Sequence, residues 1–463
     1  MASAEPALPP GPRGQRALST VRWVLRPLPL LERCRERYGD VFTLRIHGEA
    51  PWVVLADPAA VKEVFTGDAE VLQAGVANVI LRPVVGRRSV IVLDGPEHLA
   101  ERRLLLPPFH GERMERYGRL VREIADREIA CWPRNEPLRM APRMRALTLE
   151  VILRAVFGVR ETDRLDALRP ALRNALELTV SPFALFFFLV AGPERTEREA
   201  RLRRALDRVD RLLFEEVARR RVAGDLAERD DVLSLLLQAR HDDGRPMSDP
   251  ELRDELMTLL VAGHETSATA LSWALERLVR HPAKLERLRE EAAAGDDSAY
   301  LDATVKETLR LRPVVPMVLR RLAAPLHIAG HDLPAGVNVA PCVYLVHRRE
   351  DVYPEARAFR PERFLEQPAG TYTWIPFGGG VRRCLGASFA LFEMATVLRA
   401  VVSTADLRPA QPAPERMVRR AVTFVPAGGA SVVVIPRRAA GPPPAAAAAA
   451  GNRGGAAPPR SAT

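Results

Sequence analysis

The chain has 463 residues, a formal net charge of +10 and 47% hydrophobic residues, enough apolar side chains for a sizeable core in one large domain or two ordinary ones. Its basic residues are almost all arginine and interleave with acids, as in Glu194-Arg195-Thr196-Glu197-Arg198-Glu199, which makes solvated helix faces and excludes a nucleic-acid patch. Four cysteines, Cys34, Cys131, Cys342 and Cys384, lie far apart with no Cys-x-x-Cys pair, which argues against zinc fingers and disulfide frameworks and fits a reducing cytoplasm.

Residues 1–20 form a lead rich in Pro, Gly and Ala, with no apolar run suited to a signal peptide or a stable membrane insertion. Residues 28–38 read as a short helix ended by Gly39, and residues 41–46 and 52–55, rich in β-branched and aromatic side chains, as a hairpin. Asp57 caps a helix over 58–65 with Pro58 in its first turn. Residues 72–92 hold Gly75, Pro83 and Gly86 without a sustained helical period, which predicts a loop over a pocket. A helix starts in Asp94-Gly95-Pro96-Glu97-His98, and His98 and Arg102 share one of its faces. From 112 to 240 helix follows helix, with breaks expected near Gly158, Pro170, Pro182 and Gly192. The run 182–190 is more apolar than a surface loop should be; a lid over an entrance and a packed helix end are both open.

Ser248-Asp249-Pro250-Glu251 carries the caps of a helix reaching Arg280, roughly 45 Å at 1.5 Å per residue, which must cross the whole domain. In its middle, Ala262-Gly263-His264-Glu265-Thr266-Ser267 sets a glycine costing about 1 kcal/mol, and a β-branched residue, into a strong helix. A local cost of that kind marks a site. Ala268 stands where a His-Glu-x-x-His zinc motif needs its second histidine, so that reading fails. Residues 300–311 form a further helix on which Glu307 and Arg310 share a face. Short strands are predicted over 326–328 and 337–340, and a last hairpin joins 422–426 to 431–435 around Gly428-Gly429. Residues 438–463 are Ala, Gly and Pro low complexity, expected to be disordered.

Chemistry concentrates in Phe377-Gly378-Gly379-Gly380-Val381-Arg382-Arg383-Cys384-Leu385-Gly386. A short extended run enters a three-glycine turn, and one cysteine stands at the mouth of a helix whose apolar positions Leu391, Phe392, Ala395, Val397 and Leu398 recur at helical spacing. The helix dipole, together with Arg382 and Arg383, favours a thiolate there, which suits either a nucleophile or a metal ligand. Glycines without Cβ let the loop lie flat against a large planar group.

Phe377, Gly380, Arg382, Cys384 and Gly386 resemble, position for position, the haem loop of the cytochrome P450 family, in which a Cys thiolate is the axial iron ligand. Ala262, Gly263, Glu265 and Thr266 resemble the family's oxygen-binding helix, and Glu307, Arg310 and Arg363 its Glu-x-x-Arg network. The resemblance covers residues 9–437. It implies a mainly α fold with a minor β region in a single haem domain over 21–437, binding haem b between the 250–280 helix and the Cys384 helix. It further implies that Cys384 binds iron, that Phe377, Gly378 and Gly386 pack at the haem, and that His98, Arg102, Arg320 and Arg382 meet its propionates, with Arg320 favoured over Arg321. Thr266 would then donate to iron-bound dioxygen and Glu265 relay protons, while Val315, Val318 and Phe424 line the substrate pocket.

The activity so implied is a monooxygenase, a cytoplasmic monomer putting one oxygen atom of dioxygen into an apolar small molecule of fatty-acid or terpenoid type. Electrons would come from NAD(P)H through a separate ferredoxin-type partner that docks where Arg382 and Arg383 lie. A thiolate-haem enzyme using peroxide or rearranging its substrate, and a non-enzymatic haem gas sensor, stay open beside it.

Overall fold

One helix, Asp249–Val279, sets the architecture of the computed structural model, which describes residues 8–435 apart from 13–15, 110–112, 160–161, 180–191, 193 and 296–297. It begins in a reciprocal capping box, in which the Ser248 hydroxyl accepts from the Glu251 N–H while the Glu251 carboxylate accepts from the Ser248 N–H at 2.7 Å. Its 31 residues are buried on nearly every side, as befits a helix that passes through the middle of a domain rather than along its surface.

Two apolar cores grow from its two halves. Leu252 to Leu260 join Thr162–Thr179, Ala200–Arg221 and Val232–Gln238. Ala268 to Val279 join Arg113–Ala130, Met140–Ala155, Ala299–Leu311 and Ala387–Thr404. The stretch 262–267 belongs to neither core. Among the described residues, Ala387–Thr404 is the helix long and apolar enough to cross a membrane. It packs against Arg113–Ala130, Asp249–Val279, Pro282–Ala294 and Ala299–Leu311, in the manner of a core helix.

The β region is small, with most strands three to five residues long. Val41–Leu44 and Trp52–Leu55 pair antiparallel as the sequence predicts. The second of these runs parallel to Asn338–Pro341, which is followed by Arg320–Leu322 and Leu72–Gln73 to complete five strands. The helix predicted over 28–38 is Pro27–Tyr38, stopped by Gly39 at φ 85°, and Pro58–Thr66 is capped by Asp57, whose carboxylate accepts from the Ala60 N–H at 3.0 Å.

The structure corrects five local expectations. The last hairpin is not 422–426 with 431–435: Thr423–Pro426 pairs with Met417–Arg420 across a two-residue turn, and Ser431–Ile435 pairs with Pro137–Arg139 and Asp406–Pro409. Pro170 does not break its helix but lies inside Thr162–Thr179; core packing of Leu165, Leu168, Ala171, Leu172 and Ala175 outweighs the one lost backbone bond. Residues 72–92 are not a plain loop, since they hold a two-residue strand and three single helical turns. Leu326–Ile328 pairs with His331–Leu333, a strand the sequence reading missed. The proline-rich lead gives way to helix Arg16–Leu25 before residue 20. The run 182–190 and the tail 438–463 lie outside the described residues.

Candidate active site

The cysteine loop is held from below. The Cys384 N–H donates to the Phe377 carbonyl at 3.0 Å and the Gly378 N–H to the Ile375 carbonyl at 3.1 Å. Gly380 has φ 65°, and a Cβ there would stand 2.0 Å from the Phe65 carbonyl oxygen, so only glycine fits. Gly378, at φ 67°, would place a Cβ in open space. One side of the loop is therefore pressed against Phe65 while the other is left clear.

Cys384 keeps open surface, yet burial pushes its thiol upward against the pull of the Gly386 N–H and of Arg102 and Arg383. Both together describe an atom on the wall of an interior space. They also run against the expectation of a ready-made thiolate: desolvation outweighs the helix end and the arginines. Of the two arginines beside the cysteine, only Arg383 acts on it. Arg382 turns inward, ion-paired to Asp94 at 2.5 Å and donating to the carbonyls of Val90 and Leu93.

In the long helix, the open surface around its centre falls on Leu259, Val261, Ala262, Gly263, Glu265 and Thr266, of which Leu259, Ala262, Gly263 and Thr266 are spaced as i, i+3, i+4 and i+7 and hence share one face. The Thr266 hydroxyl donates to the Ala262 carbonyl one turn back. At Gly263 the glycine answers to helix packing, because a Cβ would stand 3.0 Å from Ile152 Cδ1 of Met140–Ala155. Glu265 points aside from that face, with Arg420 Nε at 3.1 Å and Arg145 Nη1 at 3.7 Å. Burial raises its carboxyl, and the two cations oppose the rise. His264 is buried and bonded to the Thr148 hydroxyl at 3.0 Å, a packing role.

A cationic wall closes the site. Arg382, Arg102 and Arg320 all act on His98, which burial first and these charges next push down to about 3, so the imidazole is neutral. Burial likewise lowers Arg102, and takes Arg320 and Arg382 down to about 10. Arg320 and Arg321 point to opposite sides of their strand. Arg321 donates to Asn338 Oδ1 at 2.8 Å, and it is Arg320 that joins the wall. Three guanidinium groups converge here with Asp94 as the one carboxylate paired to them among the described residues. A surplus of buried positive charge beside a thiol and an uncovered glycine loop fits a flat, doubly carboxylated metal macrocycle. Haem meets that description.

Behind the loop, Arg310 donates to Glu307 at 2.7 and 2.8 Å and to the carbonyls of His347 and Ala356 at 2.7 and 2.8 Å. Arg363 reaches Glu307 at 3.2 Å, joining the pair as the sequence reading expects. His347, held neutral by burial, accepts the Ile375 N–H at 2.9 Å through Nε2. The network thus ends on the residue that begins the cysteine loop.

Val315 and Val318 are half-buried. Phe424 is 1% exposed, in a core with Met317 and Trp52, and Arg419 covers its ring at 5.5 Å. This corrects its assignment to the substrate lining: its backbone links the Val314 carbonyl to the Trp273 indole, and the ring has no free face. Sequence reasoning also missed Arg145 and Arg420 at Glu265, and Glu393, a fully enclosed carboxyl on the cysteine helix that burial pushes up to about 7 and that bonds to Ser267. Glu393 alone carried a signal, an acid on the buried face of an apolar helix.

A thiol facing an interior space, a cationic wall and a helix with an open Ala-Gly-Thr face make this the site of a haem-thiolate protein. The family model of cytochrome P450 matches residues 9–429. A Mycobacterium tuberculosis protein named cytochrome P450 135B1 is 45% identical over 430 residues, 91% of this chain and 90% of its own, and cytochrome P450 137 of the same species is 37% identical over 424 residues, 91% and 89%. The fold is that of the solved structure titled "Retinoic acid bound cyanobacterial CYP120A1", with TM-score 0.81 at 24% identity over 94% of this chain and 100% of that one. This chain belongs to the cytochrome P450 family. It is accordingly a haem-dependent monooxygenase, an oxidoreductase acting on a small molecule with dioxygen and electrons from a redox partner.

Proposed function

We propose that the protein places one oxygen atom of dioxygen into an apolar substrate of the fatty-acid or terpenoid class, with electrons from NAD(P)H through a separate ferredoxin-type partner. The observation that carries this reading is the open face of Leu259, Ala262, Gly263 and Thr266 midway along a helix that is buried over most of its length. When bound, the haem iron supplies reductive activation of dioxygen. Cys384 Sγ would hold it, and His98, Arg102, Arg320 and Arg382 would hold its carboxylates. Phe377 and Gly386 flank the sulfur in the loop.

Thr266 Oγ1 is the hydroxyl on the open face; turned away from the Ala262 carbonyl, it would present its proton to the space beside that face. Glu265 would resupply that proton. Burial raises the Glu265 carboxyl and Arg420 and Arg145 pull it down, a balance suited to taking a proton from solvent and giving it up again. Val315 and Val318 offer apolar surface, and the fold neighbour named above is titled as binding retinoic acid, an isoprenoid acid. For the partner, Arg383 is exposed whereas Arg382 is engaged inside with Asp94, so a ferredoxin would meet Arg383 and not both.

A lipid and terpenoid panel tests the reading. Substrates should displace the iron-bound water, seen as a Soret shift, and turnover in ¹⁸O₂ with a ferredoxin system should give product carrying one labelled oxygen. Activity with peroxide alone, or no spectral response to any apolar ligand, would overturn it.

A further inference from the structure

Away from the cysteine site, three side chains of ligand type converge where Gly95–Leu105 meets the start of the long helix. Glu101 comes from Gly95–Leu105, His241 from the tight loop after Val232–Gln238, and Glu251 from the first turn of Asp249–Val279. One ligand atom from each lies within 4.8 Å of the other two. All three are enclosed: Glu101 and Glu251 are 7% and 4% exposed, and the His241 side chain 8%.

Two of these atoms have nothing to bond to. Glu101 Oε2 and His241 Nε2 are buried without a hydrogen-bond partner among the described residues, whereas nearly all buried polar atoms in native proteins have one. His241 Nε2 stands 3.8 Å from Glu251 Oε2, beyond hydrogen-bond reach. The loop is fixed in place by the His241 N–H donating to the Arg245 carbonyl at 3.0 Å, the Gly244 N–H donating to the His241 carbonyl at 2.8 Å, and a bridge between Arg240 and Pro246. Glu251 is fixed too, its Oε2 accepting from the Ser248 N–H and hydroxyl, both at 2.7 Å. Arg245 at 3.2 Å and Arg88 at 3.4 Å face its Oε1. Glu101 has no ion pair among the described residues.

We propose that Glu101, His241 and Glu251 hold one divalent transition-metal ion of the zinc type. An imidazole nitrogen with two carboxylates suits zinc and its neighbours, whereas calcium and magnesium take oxygen ligands. Bonds of about 2.0–2.2 Å to zinc put tetrahedral ligand atoms roughly 3.3–3.6 Å apart, so His241 Nε2 and Glu251 Oε2, at 3.8 Å, need to close by only a few tenths of an ångström, and no pair of the three by more than about 1.5 Å. The unpartnered Glu101 and His241 atoms gain the partner they lack, and Arg245, itself half-exposed and paired also to Asp243, turns toward solvent. The ion ties the helix carrying His98 and Arg102 to the helix carrying Glu265 and Thr266, and so acts as a structural staple between two elements of the site.

The test uses the haem-loaded full chain, stripped with a chelator, re-exposed to micromolar zinc and gel-filtered, with zinc and iron counted in the same sample. Wild type should retain about one zinc per iron, and Glu101→Gln and His241→Gln should each retain at least tenfold less, with zinc raising the melting temperature of wild type alone. Wild type holding under about a tenth of a zinc per iron, or equal retention in the variants, overturns the proposal. Should a variant fail to take up haem, anomalous scattering at the zinc edge from wild-type crystals decides. A peak among the three side chains supports the site; its absence overturns the proposal.

Discussion

Replacing Glu307 with alanine should release the cysteine loop without touching the reacting groups. In the structure the Glu307 carboxylate accepts from Arg310 Nε and Nη2 at 2.7 and 2.8 Å, from the Arg360 N–H at 2.8 Å, and lies 3.2 Å from Arg363 Nε. Glu307 and Arg310 are both 0% exposed, so the variant strands a buried guanidinium with only carbonyls around it. Breaking one side of a buried pair costs about 3–5 kcal/mol, a large part of the roughly 5–15 kcal/mol that holds a folded chain together. An unfolding entropy of about 2.1 cal/mol/K per residue over a chain of this length converts that loss into a melting shift of roughly 3–5 °C. Because Arg310 holds the His347 carbonyl and His347 holds the Ile375 N–H, haem content should fall with it. The assay is thermal melting by circular dichroism together with haem per chain; Glu307→Gln, which keeps an acceptor and loses the charge, should fall between. A Glu307→Ala protein melting within about 1 °C of wild type with full haem would refute the network as the loop's support.

Other outcomes follow from single groups. The Glu393 carboxyl binds its proton more tightly folded, at about 7, than unfolded, near 4.5, so the folded state holds the extra proton between those values and stability falls as pH rises through that window. Glu393→Gln should flatten the fall and be more stable than wild type at pH 8, by about 3 kcal/mol at most; parallel pH profiles of melting would contradict this. Arg420→Ala removes a charge that lowers the Glu265 carboxyl, so the limb of the turnover–pH profile that depends on Glu265 should move to higher pH, and an unmoved limb would show that Glu265 carries no proton in turnover. Thr266→Ala should keep consuming NAD(P)H while product per NAD(P)H drops roughly tenfold or more. Unchanged coupling would remove Thr266 from the proton path.

The local motifs were legible because their physics is local. A cap box, a glycine turn before one cysteine and a Gly-x-Glu-Thr interruption in a long helix are each written in adjacent residues, and the structure brings Cys384, Arg102, His98, Arg320 and Arg382 to one region as the resemblance implied. Strand partners were less legible, since residues 423–426 and 431–435 show the β-branched composition of strands without saying what they pair with. The partners of Glu265 were hidden for the same reason: Arg145 lies 120 residues before it (265 − 145) and Arg420 155 residues after it (420 − 265), and no spacing rule joins them to a helix at 249–279. The state of the cysteine was misread because the arginines and the helix end show in sequence while desolvation does not. Phe424 was assigned to a pocket by its place in a hairpin, but which face of a short strand is covered depends on what packs there, and here Arg419 and Met317 do.

The bond between Cys384 Sγ and iron is tested most directly by the absorption of the reduced, carbon-monoxide-bound protein. Thiolate ligation predicts a strongly red-shifted Soret band in wild type and its loss in Cys384→Ser, with haem still bound through the His98, Arg102, Arg320 and Arg382 wall. A wild-type band at the short wavelength of histidine-ligated haem, or a Cys384→Ser spectrum identical to wild type, would contradict it.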